Sequence, residues 1–213
     1  MRLDGFEIVK PEDIERRSFE IITEELGDTQ LIAEYAPIIK RCIHTSADFE
    51  YAHSLRFSPG VLDSVRTAIR GGAHIVTDTQ MGKSGINKTE LAKYGGEVRC
   101  YMSDADVAAT AKENGSTRAV ASMDKAAADA NNQIFAIGNA PTALVRLAEL
   151  IEAGKIKPAL IIGAPVGFVN VVQAKELIMR MGVPYIVAAG RKGGSNIAAC
   201  IVNAILYEMR KEA

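Results

Sequence analysis

The chain predicts an α/β fold: a single domain whose mostly parallel sheet of about five strands carries helices on both faces, preceded by a helical N-terminal segment. Short apolar, β-branched runs alternate with longer segments of helical periodicity, the pattern of a parallel sheet covered by helices. The runs at 160–162 and 186–188 are continuously apolar, as strands buried on both faces must be. A length of 213 residues suffices for one sizeable core, and no repeat, low-complexity tract or linker divides it.

The elements follow in chain order. Segment 13–40 reads as two helices. In the first, Ile14, Ser18, Ile21 and Ile22 share one face at helical spacing, so Ser18 points where its apolar neighbours point, into the interior or into a cleft. The plain alternative is a hydroxyl bonded back to the carbonyl four residues earlier. Arg16 and Glu20 form an exposed i,i+4 pair. Strands are expected at 74–77, 97–102, 133–137, 159–162 and 184–188. Between them the periodicity predicts helices at about 59–70, 84–94, 104–113, 118–131, 141–153 and 170–181, with a last one from about 195 to 210. Pro141 and Ser195 supply start signals.

Composition limits the partners. Hydrophobic residues make up 48% and charged residues 24%, with a net charge of -1; nothing global points to nucleic acid or a membrane surface. The cysteines, Cys42, Cys100 and Cys200, are odd in number and far apart. They fit neither a disulfide framework nor a CxxC site, and such usage suits a reducing, cytoplasmic setting. The residues from Met1 to Gly5 lack the apolar core of a signal peptide, and no apolar run reaches transmembrane length.

The densest chemistry lies in Arg41-Cys42-Ile43-His44-Thr45-Ser46-Ala47-Asp48-Phe49. Histidine trades protons near neutrality, and an arginine three residues earlier suits a carboxylate or phosphate. A capped loop with a satisfied histidine is the bland alternative. His53 and His74 read as structural or exposed.

The glycine-rich turns exclude several chemistries. Gly82-Lys83-Ser84 ends like a P-loop, but Thr77 stands where its first glycine belongs, and Ile86 replaces the last glycine of a nucleophile elbow. Gly163-Ala164-Pro165-Val166-Gly167 carries proline where a dinucleotide turn needs its second glycine, and Ala188-Ala189-Gly190-Arg191 offers no acid for a ribose. What these turns share is a place at the carboxyl ends of strands, where open α/β sheets bind ligands. Gly138-Asn139, Gly163 and Gly190 to Gly194 would present backbone amides to an anion, with Arg191 and Lys192 beside the last; simple turn chemistry is the alternative.

Seven landmarks in one order resemble the precorrin-8X methylmutases, also called precorrin isomerases or cobalt-precorrin-8 methylmutases. They are Ile14-Glu15-Arg16-Arg17-Ser18-Phe19, the 41–49 stretch, Asp78-Thr79-Gln80-Met81, Thr117-Arg118-Ala119-Val120-Ala121, Gly138-Asn139-Ala140-Pro141-Thr142-Ala143-Leu144, Gly163 to Val169 and Gly190 to Asn196. The resemblance implies an isomerase of cobalamin biosynthesis that moves a methyl group from C-11 to C-12 of precorrin-8 or its cobalt form, giving hydrogenobyrinate or cobyrinate. It implies no cofactor and no protein-bound metal. His44 takes the role of proton donor and acceptor. Ser18, Arg41, Thr45, Thr79, Lys83, Arg118, Asn139, Arg191 and Ser195 are the expected substrate-binding residues. The implied partner is a corrinoid tetrapyrrole with many carboxylates, resting on residues such as Met81, Val166 and Phe168, and the implied assembly is a homodimer. A non-catalytic corrinoid carrier on the same fold would need the arginines and turns but not His44. An unrelated α/β oxidoreductase or hydrolase is the other alternative, against which the defective glycine patterns speak.

Overall fold

The structure, a computed structural model, describes residues 7–212. After a short 3-10 turn the chain forms α1 (Ile14–Leu26), α2 (Ala36–Ser46), α3 (Tyr51–Ser54), β1 (Leu55–Phe57), α4 (Val61–Arg70), β2 (His74–Thr77), α5 (Gln80–Gly85), α6 (Lys88–Ala92) and β3 (Val98–Arg99). It continues with α7 (Ala105–Glu113), α8 (Arg118–Ala127), β4 (Asn132–Ile137), α9 (Pro141–Glu152), β5 (Leu160–Gly163), α10 (Val171–Arg180), β6 (Tyr185–Ala188) and α11 (Ser195–Lys211).

The strands make one six-stranded sheet in the order β1-β6-β5-β4-β2-β3. Every pairing is parallel except that of β1 with β6. Alternate residues of each strand enter opposite cores, as period two requires. Ile75, Ile134, Ala136, Leu160, Ile162 and Ile186 join the side chains of α1, α2, α4 and α11 on one face. Val76, Phe135, Ile137, Ile161 and Val187 join α8, α9 and α10 on the other. Because both faces are covered, the central strands tolerate no polar alternation, and their continuous apolar runs follow from that.

The expected α/β architecture with helices on both faces is the one observed, with three differences. The sheet has a sixth strand, β1, an antiparallel edge whose three residues alternate buried, exposed and half-buried. So short a run leaves no periodic signal. The strand expected at 97–102 pairs only over Val98–Arg99. The helix expected at 84–94 is two short helices, because the Asn87 side chain accepts from the Glu90 N–H (3.1 Å) and starts α6 afresh.

The chain leaves β2 for the outer strand β3 on one side, then returns to β4 and proceeds to β5 and β6 on the other. The sheet's switch point therefore lies between β2 and β4, and open α/β sheets bind ligands beyond the carboxyl ends of such strands. Two buried contacts fix that rim. The carboxylate of Asp78, just past β2, accepts from the backbone N–H groups of Gly138 (2.9 Å), Asn139 (2.8 Å) and Ala140 (2.6 Å), just past β4. Gly138 also packs so closely under the start of α11 that a Cβ there would lie 2.5 Å from the Cα of Ser195.

Candidate active site

Residues 41–46 form the second half of α2 rather than a loop. Pro37 near its start and Ala47 in a left-handed C-cap conformation bound the helix. Ile38, Ile39, Cys42 and Ile43 face the core, which turns His44 and Thr45 outward into exposed positions. His44 is not loose. Its Nδ1 lies 2.7 Å from the Oγ of Ser18 on α1, and its ring stacks on Phe19 at 5.5 Å between centroids with 17° between planes. The apolar-face reading of Ser18 thus leads to a specific partner, not to the carbonyl of Ile14. A hydrogen bond at Nδ1 decides which proton Nε2 carries: a hydroxyl donating to Nδ1 leaves Nε2–H as the donor, and one accepting leaves Nε2 as the base. Beside this pair opens a cavity of about 510 Å³ whose walls include Ile14, Ile21, Ile43, Phe49, Ser18 and His44.

Arg41, one turn earlier, pairs with Glu15 on α1. Its guanidinium lies 5.3 Å from the Phe19 ring centroid and 4.8 Å from that of Tyr207 on α11. Arg41 is therefore a joint between α1, α2 and α11, with one of its guanidinium nitrogens engaged by Glu15. On the next face Thr45 donates to the Cys200 sulfur at 3.2 Å. Its hydrogen bond with Cys200, together with burial, pushes the Cys42 thiol well above the usual thiol range. Thr45, Met81, Asn196 and Tyr207 border a groove of about 290 Å³ that leads from α2 toward the switch point.

At the switch point the hydroxyls of Thr79 and Ser195 lie 2.7 Å apart. Thr79 also caps α5 by accepting from the Gly82 N–H (2.9 Å). Asn139 stands exposed in the turn that Asp78 holds. Burial pushes the Asp78 carboxyl up from the ordinary carboxylate range, and its three backbone donors pull the other way.

The 190–194 turn approaches α2 from the side. Lys192 bonds Asp48 (2.6 Å) and Glu50 (2.8 Å), just past the His44 helix. The Lys192 ammonium holds the Asp48 carboxyl below the usual range. Arg191 lies over the Phe168 ring at 5.4 Å. Phe168 belongs to an exposed apolar run, with Phe168 and Val169 each 79% and Val166 49% exposed, and Met81 on α5 is 69% exposed. Arg118 is exposed at the first turn of α8, and Lys83 on α5 is half-buried. Among the described residues neither these two nor Arg191 has a carboxylate within 4.0 Å.

The expected residues therefore fall into three groups. His44 and Ser18 face one cavity and Arg41 and Thr45 a separate groove; Thr79, Asn139 and Ser195 stand at the switch point; Arg191, Arg118 and Lys83 supply unclaimed charge. His53 is exposed, and His74 is half-buried with its Nδ1 accepting from the Glu97 N–H (3.0 Å). Sequence reasoning missed Asp78, Asp48, Glu15 and Lys175. For Lys175 a signal existed: it shares the buried stripe of α10 with Val171, Ala174 and Ile178.

Fold and site together define an α/β protein with a mostly parallel sheet, a polar cluster past the carboxyl ends of its strands and an exposed histidine bonded to a serine. The family model described as "CbiC: Precorrin-8X methylmutase" matches residues 13–208, and the chain belongs to that family. It is 49% identical over 197 residues to the cobalt-precorrin-8 methylmutase of Priestia megaterium, spanning 92% of this chain and 88% of that protein. It is 39% identical over 197 residues to the precorrin-8X methylmutase of Pseudomonas aeruginosa, spanning 92% and 94% of the two. A crystal structure of precorrin-8x methyl mutase from Thermus thermophilus superposes with a TM-score of 0.86 at 37% identity, covering 94% of this chain and 98% of that one.

Proposed function

We propose that this chain moves a methyl group from C-11 to C-12 of precorrin-8 or its cobalt form, an internal rearrangement with no change in redox state. The observation that carries the assignment to His44 is its bond to Ser18, 2.7 Å at Nδ1, which leaves Nε2 for the substrate. With Ser18 donating, Nε2–H is a hydrogen-bond donor to a ring nitrogen. That bond polarises the conjugated system as the methyl leaves C-11 and settles on C-12, and the proton stays on Nε2 throughout. A positioned acid–base group contributes about 10²–10⁴-fold, and holding the macrocycle in a reactive shape supplies the remainder.

The macrocycle's apolar plane suits Met81, Val166 and Phe168, which are exposed. Its carboxylates suit Arg191, Arg118 and Lys83, and its amide-accepting groups suit Thr79, Asn139 and Ser195. Charge-assisted hydrogen bonds contribute about 1.5–3 kcal/mol each, so three such cations are enough for tight binding. The exposed apolar set around Phe168 supports a homodimer, which sedimentation at several protein concentrations tests. Three cysteines, all buried and free, fit a reducing cytoplasm.

The test is to mix the protein with precorrin-8 or its cobalt form and follow visible spectra, with His44→Ala alongside. Conversion by wild type and none by the variant, with binding kept by both, is the expected result. Tight binding without conversion by either protein would favour a carrier, and no spectral response at all would overturn the reading.

A further inference from the structure

Lys175 is 1% exposed, in the middle of α10. Among the described residues no carboxylate lies within 4.0 Å of its ammonium. Its hydrogen bonds go to the carbonyls of Gly190 and Lys192, each at 2.8 Å. The carbonyl between them, of Arg191, accepts from the Gly167 N–H at 3.1 Å. Three successive peptide groups are thereby pinned from alternate sides, two from beneath by Lys175 and one from the 164–169 turn. The next link is the Gly194 N–H, which donates to the Ala164 carbonyl at 2.8 Å.

A buried ammonium without a counter-charge is costly, and its pKa falls to about 8 through desolvation. Val171, Ala174 and Ile178 show what the same helix face otherwise carries. Methionine or leucine at 175 would pack there without that cost but would leave two carbonyls without donors. What the lysine provides is a fixed orientation for the turn, and that turn projects Arg191 over Phe168 and Lys192 toward Asp48. It also leads directly into Ser195, the partner of Thr79.

We propose that Lys175 is a positioning residue of the reaction: from beneath the 190–194 turn it sets the stance of Arg191, and so the affinity for the carboxylates of the substrate. The proposal rests on the functional reading above and adds to it a residue that never touches the ligand.

Lys175→Met and Lys175→Gln, in the full-length protein, test it by steady-state kinetics on the corrinoid and by trypsin cleavage after Arg191 and Lys192. KM is expected to rise about tenfold, the equivalent of one charge-assisted contact, with kcat within about threefold of wild type. Cleavage at the turn should quicken in both variants. In an Arg191→Ala background the KM effect of Lys175→Met should shrink, because the two act through one contact. If Lys175→Met does not fold, Lys175→Gln is read alone. Its side chain fits the same slot and keeps an N–H donor with shorter reach. Unchanged KM and unchanged cleavage, whatever the melting temperature, would overturn the proposal. So would full additivity with Arg191→Ala. Wild type that converts no corrinoid would instead remove the functional reading, and with it any role for Lys175 in that reaction. Normal wild-type conversion with unaffected variants would remove the positioning role alone.

Discussion

Ser18 and His44 lie 26 residues apart in the chain and 2.7 Å apart at Oγ and Nδ1. They sit on adjacent helices, α1 and α2, whose apolar faces pack together and leave this polar pair at the edge of the contact. Phe19, next to Ser18, stacks on the same imidazole. Two consecutive residues of α1 thus fix both the orientation of the ring and the nitrogen it presents.

Ser18→Ala should therefore slow turnover more than it weakens binding. Loss of one neutral hydrogen bond of about 1–1.5 kcal/mol corresponds to roughly tenfold in rate. The expected outcome is kcat down about tenfold with product affinity within about twofold, read from kinetics and a spectral titration. Equal losses in both would assign Ser18 to the ligand instead of to His44.

Asp78→Ala removes the acceptor for three backbone N–H groups, that of Gly138 buried and those of Asn139 and Ala140 part-buried. Stranded buried donors cost about 1–3 kcal/mol each, partly recovered if water enters. A loss of about 3–5 kcal/mol in urea unfolding is expected. Stability within 1 kcal/mol of wild type, in the same experiment, would show that the turn holds itself without the carboxylate.

Gly138→Ala places a Cβ 2.5 Å from the Cα and 2.7 Å from the nitrogen of Ser195. Backbone cannot rotate away as a flexible side chain does, so α11 must shift. About 2–3 kcal/mol of stability should be lost, and Ser195 should move away from Thr79. Denaturant unfolding and the KM of the folded variant check the two effects separately.

Tyr51 supplies the pH dependence. Burial pushes its phenol up to about 12, above the unfolded value of about 10. The sign follows: the folded state holds the proton more tightly, so the contribution is complete below pH 10 and is lost as pH rises toward 12. Tyr51→Phe should flatten the fall of stability across that window. Tyrosinate absorbance in the wild type should show one phenol ionising after the others, and its absence would refute the shift.

The sequence makes the central sheet legible because burial on both faces leaves an apolar run with no polar interruption, as at Ile161 and Val187. β1 is illegible for the opposite reason: its three residues are too few to show a period, with Leu55 buried, Arg56 exposed and Phe57 half-buried. The break between α5 and α6 was present as Asn87 and Glu90, a capping pair whose strength lies in side-chain geometry rather than in periodicity. In the site, the chemistry-bearing types were readable but their pairings were not. Arg41 looks equally free whether or not Glu15 reaches it, and the apolar spacing of α10 puts Lys175 on the buried stripe without naming the carbonyls it bonds.

α11 follows every other described element in the chain, yet it packs on α2, carries Cys200 to Thr45 and Tyr207 to Arg41, and brings Ser195 to Thr79. During synthesis α2 emerges early and stays without these partners until that helix has left the ribosome. A nascent chain halted before residue 195 should thus be unable to retain the tetrapyrrole. Retention of the pigment then reports that α11 has been made and has packed on α2.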